Sequence, residues 1–182
     1  MHLTVENIRE LVDFTEWADA TVWKAILANE AARADGTLRD LLFHLHTVQR
    51  VFLRIWRGDS LEGMAGAKPT DFPDLAAMQT WARPICDEWR RFLSGVDSPA
   101  LARTVRLPWA DALGQQLGRP IVAPTLSETM FQVVSHSTYH RGQVNTRLRT
   151  LGGEPPLVDY IAWVWFDRPM ADWGATAVSP AI

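Results

Sequence analysis

Two histidines four residues apart, His136 and His140, carry the first suggestion of chemistry in this chain. Positions i and i+4 share one face of an α-helix, so both imidazoles can reach a single ion. At about 100° per residue, Leu126, Met130, Val133, Val144, Leu148 and Leu151 form one stripe, with His140 inside it and His136 at its edge. The pattern predicts that both rings turn into a bundle rather than toward water. A buried imidazole needs hydrogen-bond partners or a metal. On the residues alone, metal ligation and a pair of core histidines bonded to polar neighbours both stand open.

Catalytic metal sites usually take three protein ligands and keep a position open, so a third donor is sought on another helix. His44 and His46 are available there, but they point about 200° apart and cannot both face one ion. Measured from the centre of their helix's apolar stripe, His44 lies about 80° away and His46 about 120°. This modest margin favours His44 and sends His46 toward solvent or a subunit contact; His2 is expected to be exposed. Cys86, the single cysteine, reads as a buried inert thiol and excludes an intrachain disulfide. Ser135 and Ser137 flank His136 without the nucleophile elbow of a serine hydrolase. Arg141 is expected in a surface ion pair in preference to a role in binding an anionic substrate group. Glu154, ahead of two prolines, reads as a loop breaker.

Four helical stretches must position these residues. The first runs from about Val5 to Ala28, with Thr4 able to cap it. The second runs from about Leu38 to Trp56, with Thr37 as the expected cap and Gly58 as the stop. The third runs from about Leu75 to Leu93, capped by Asp74, and Pro84 should kink or divide it. The fourth, from Leu126 to Leu151, opens on the capping box Thr125-Leu-Ser-Glu128 and stops at Gly152-Gly153 before Pro155 and Pro156. Between the last two, Leu101 to Trp109 and Gly118 to Ala123 suggest a short irregular hairpin. Four long helices predict an all-α four-helix bundle forming a single domain over residues 1–182. Asp159 to Phe166 is apolar on every side and is expected to seal one end of the bundle or meet a partner subunit.

Composition narrows the function classes. With 18 basic against 21 acidic residues, the net charge of −3 gives no electrostatic footing for nucleic acid. No stretch approaches the roughly 20 apolar residues of a membrane-spanning helix, and the first ten residues lack the apolar run of a signal peptide. A cytoplasmic protein is expected. Nine tryptophans read as core and interface filling.

The segment His136-Ser-Thr-Tyr-His140-Arg-Gly-Gln143, followed by Leu151-Gly-Gly-Glu-Pro-Pro156 and Asp159, closely resembles the last core helix and following loop of the DinB/YfiT-type family. Leu42-Phe-His44 with Gln49-Arg50 resembles that family's second helix, and Trp17-Ala-Asp19 its first-helix Trp-Ala-Asn element. The resemblance covers about Leu11 to Trp165. It implies a bundle with a divalent metal (Zn, Ni or Fe) held by His44, His136 and His140, and it selects His44 over His46 independently of helix geometry. It also implies a homodimer and, in members of known activity, low-molecular-weight thiol chemistry such as S-transfer or isomerisation. A thiol or electrophile substrate would follow, for an S-transferase or a metal-dependent hydrolase; the alternative is a non-catalytic metal-binding or stress-response protein. Two departures stand out: Gln49 replaces the family's acidic residue, and Asp19 replaces its asparagine.

Overall fold

The computed structural model describes residues 3–64 and 66–174; His2 lies outside them. Helix α1 spans Val5–Ala28 and starts at Thr4, whose side chain accepts from the Asn7 backbone N–H while Asn7 reaches back. A single turn, α2 (Glu30–Arg33), leads into α3 (Gly36–Arg57). The cap of α3 is Asp35, accepting from the Leu38 N–H, and not Thr37. Asp35 is the better residue for the position because its carboxylate also receives Arg147 from the last turn of the antiparallel helix beside it. Gly58 ends α3 with φ of 76°, a left-handed conformation open to glycine.

Pro84 divides the third stretch as predicted, giving α4 (Leu75–Ala82) and α5 (Ile85–Leu93). In the insertion, α6 (Ser98–Leu101) precedes the expected irregular hairpin and α7 (Ala110–Leu117) lies between its two arms, which meet at one antiparallel bridge between Thr104 and Thr125. Gln115, Gln116 and Leu117 suit a helix turn ended by left-handed Gly118, and they leave too few residues for paired strands. Helix α8 (Leu126–Thr150) opens on the predicted capping box, with Thr125 and Glu128 bonded reciprocally. Helix α9 (Tyr160–Trp165) follows the Gly-Pro loop.

Helices α1, α3, α4–α5 and α8 make the four-helix bundle, with α3 against α8 the most extensive contact. The pair is antiparallel: Asp35 meets Arg147 at one end, and the Trp56 indole donates to Thr129 at the other. The apolar core comes in two halves. One contains Ile8, Val12, Phe52, Trp56, Trp89, Met130 and Val133. The other contains Trp23, Ile26, Leu38, Leu42, Met78, Val144 and Leu148. Between them, at mid-height, the buried residues include Asp19, His46, Gln49, Ser137 and Arg141. The tail packs along the flank of α1: Trp163 is buried against Phe14 and Trp17, and the Tyr160 hydroxyl donates to Glu10. No helix among the described residues is long and apolar enough to cross a membrane.

Candidate metal centre

His44, His136 and His140 converge. One nitrogen from each lies within 4.8 Å of the others. The His44 ring centroid stands 4.6 Å from that of His140 and 5.2 Å from that of His136. The two Nε2 atoms of His136 and His140 are 3.1 Å apart. Two nitrogens ligating one ion at about 2.0–2.1 Å, with an angle between about 90° and 110°, stand about 2.8–3.4 Å apart. The observed pair falls inside that range, so the donor set fits a divalent ion.

Protonation favours the same reading. Desolvation, followed by the neighbouring His140 and His44 rings, holds His136 down at about 4. Desolvation and His140 also lower His44. Burial and the neighbouring rings thus keep His136 and His44 neutral at neutral pH, the form a metal requires. The buried Nδ1 atoms of His136 and His140 have no hydrogen-bond partner. Ligating histidines gain basicity when the second nitrogen donates to a carbonyl or carboxylate; these two rings lack that support.

The cluster does not lie in the interior, as the apolar stripe predicts. His44 is exposed and the other two rings are half-buried, in the groove between α3 and α8. The reason is that the buried face of α8 is partly polar. Counting Ser137 and Arg141 with the apolar residues centres that face on Ser137, from which His140 lies about 60° and His136 about 100°. Likewise α3 buries a face centred on Gln49, which leaves His44 about 140° away and His46 only about 60°.

His46 accordingly reverses its expectation: it is 1% exposed. The Trp23 indole donates to its Nε2 at 2.9 Å, so the ring carries its proton on Nδ1 and donates to Gln49 Oε1, also at 2.9 Å. Gln49 Nε2 in turn donates to Asp19 Oδ2 at 2.8 Å and to Ser137 Oγ at 3.1 Å. Arg141 Nη1 donates to Asp19 Oδ1 at 2.8 Å. Arg141 does make the expected ion pair, but both partners are 2% exposed, not at the surface. A polar layer thus ties α1, α3 and α8 together at the height where the three open histidines sit. Sequence reasoning missed this layer; polar residues in helical register with the core at Asp19, Gln49 and Arg141 were the available signal.

Beside His136 a cleft of about 580 Å³ runs between α3, α8 and the insertion, lined by Val48, Phe52, Leu107, Trp109, Glu128 and Gln132 among others. Cys86 is buried, and burial pushes its thiol well up, as expected of an inert residue. Among the described residues no cysteine or carboxylate joins the histidine cluster.

No curated protein and no solved structure matches the chain significantly. The DinB family profile matches residues 7–171, nearly the whole length, and the chain belongs to the DinB family.

Proposed function

We propose that His44, His136 and His140 bind a divalent metal ion and that the ion serves a metal-dependent reaction in the adjoining cleft. The observation that carries this reading is the convergence of three imidazole nitrogens within 4.8 Å at a half-open groove. Three neutral ligands leave an ion its full charge and free positions, and such an ion can activate a bound water or thiol or polarise a carbonyl. His44 holds the ion from α3, while His136 and His140 hold it from successive turns of α8. Val48, Phe52 and Trp109 offer an apolar wall for a substrate body. Thiol S-transfer or hydrolysis is the chemistry that the family resemblance implies for such a centre.

One observation favours the alternative of a non-catalytic metal site. Gln49, at the position where the family carries an acid, is buried and bonded to Asp19, His46 and Ser137. Among the described residues this leaves no carboxylate at the cluster to act as a general base. Elemental analysis followed by a thiol-transferase assay of the metal-loaded protein separates the two readings. Stoichiometric metal should be lost in His136→Ala and His140→Ala and kept in His46→Ala. Metal retained in the His44, His136 and His140 triple alanine variant would refute the site.

We also infer that the chain forms a homodimer. Trp165, Phe166 and Met170 are 72%, 56% and 92% exposed, an apolar surface that a partner would cover. Sedimentation should give a dimer at micromolar concentration; a monomer there would end this inference.

A further inference from the structure

A second cleft, of about 420 Å³, opens on another face of α3, between α3, the start of α5 and the loop after Gly58. Thr47, Arg50, Arg54 and Arg57 line it, spaced three, four and three residues apart along one stripe of the helix. Cations in the last turn complement the helix dipole, which accounts for Arg54 and Arg57. Arg50 lies farther in and is held differently. Its guanidinium donates to the Trp81 carbonyl and lies 4.6 Å from the centre of the Trp81 ring. Desolvation there weakens its hold on its proton.

The carboxylates lining the cleft are Glu88 and Asp59. Glu88 serves two arginines loosely, Arg50 at 3.7 Å and Arg57 at 3.3 Å. Arg54 has no carboxylate within ion-pair reach among the described residues. Two buried polar atoms on the lining residues, Arg50 Nε and Thr47 Oγ1, have no hydrogen-bond partner. The cleft therefore combines a surplus guanidinium with a prearranged one, in a protein whose net charge is negative.

We propose that this cleft binds a small oxyanion, a phosphate or carboxylate group, through Arg50, Arg54 and Arg57. Guanidinium groups suit such ligands because their planar N–H forks match the oxygens of both groups. Glu88 opposes the ligand by occupying two of the arginines. The site is independent of the histidine centre and does not rest on a metal being bound.

The test is calorimetric titration of the metal-loaded full chain with inorganic phosphate and, separately, with malonate; the tighter probe assigns the head group. Arg54→Glu should weaken binding about tenfold or more, by removing a cation and adding a repelling charge. Glu88→Gln should tighten it several-fold by removing the competing negative charge beside Arg50 and Arg57. Anion bound at a histidine-held metal would ignore Arg54→Glu, so the failure of one site is distinguishable from that of the other. Absence of binding by both probes, binding unmoved by Arg54→Glu, or binding not tightened by Glu88→Gln each overturns the proposal.

Discussion

Helices α3 and α8 carry two histidine clusters at one height of the bundle, and the two could hardly be built more differently. His46 sits in the core with both ring nitrogens bonded, one by Trp23 and the other to Gln49. His136 and His140 sit half-buried, their Nε2 atoms turned to each other and their Nδ1 atoms without partners. A satisfied core histidine contributes to the specificity and stability of packing. Imidazoles crowded at a groove do neither, since desolvation disfavours the charged form of His136 while the buried Nδ1 atoms of the pair go without a bond. The contrast separates a structural use of histidine from a ligand use, within one pair of helices.

Breaking the structural cluster should have the largest effect. Asp19→Ala leaves Arg141 as an uncompensated charge in the core and frees a Gln49 donor, and loss of one partner of a buried pair costs about 3–5 kcal/mol. Next comes His46→Ala, which orphans the Trp23 indole and the Gln49 carbonyl at about 1–3 kcal/mol for each buried group. His44→Ala, at an exposed position, should stay within about 0.5 kcal/mol in metal-free protein. Urea unfolding of the three metal-free variants checks the ranking. A His44→Ala loss equal to that of His46→Ala would erase the distinction between the clusters.

The same comparison explains what was legible in the sequence. Helix limits were, because Thr125 with Glu128, Asp74 and Pro84 act locally through caps and a missing N–H. The triad was legible in composition, through the i, i+4 pair and the resemblance around His44. Its burial was not, because an apolar stripe locates a buried face only when that face is apolar. Here Gln49, Ser137 and Arg141 belong to the buried faces, and they become recognisable as core only when their partners arrive from other helices. His46 was misplaced by the same omission. The insertion was only coarsely legible: β-branched residues around Val105 and Val122 suggested two arms, which meet at a single bridge because the chain between them closes a short helix. Tertiary context decides such short segments over local propensity.

The last prediction concerns pH dependence, and it tests the comparison from the proton side. Desolvation lowers His46 and His44 and takes His136 to about 4. A histidine with a depressed folded value binds more protons when unfolded. Its contribution is therefore present above the unfolded value, about 6.5, and is lost as pH falls from there toward the folded one. Carboxylates held low by bonding, such as Glu10 and Asp35, add their losses only at lower pH. Between pH 7 and 5, metal-free protein should thus lose stability with a slope of at most about 1.4 kcal/mol per pH unit for each such histidine. His46→Gln should flatten part of that slope whether or not metal is present. Removing His136 should flatten a further part of it in metal-free protein, where its ring is already neutral across this range. Urea midpoints at pH 7 and pH 5, with and without metal, measure both contributions. If loading metal raises the midpoint at neither pH, the groove histidines are not ligands, and they differ from His46 only in exposure.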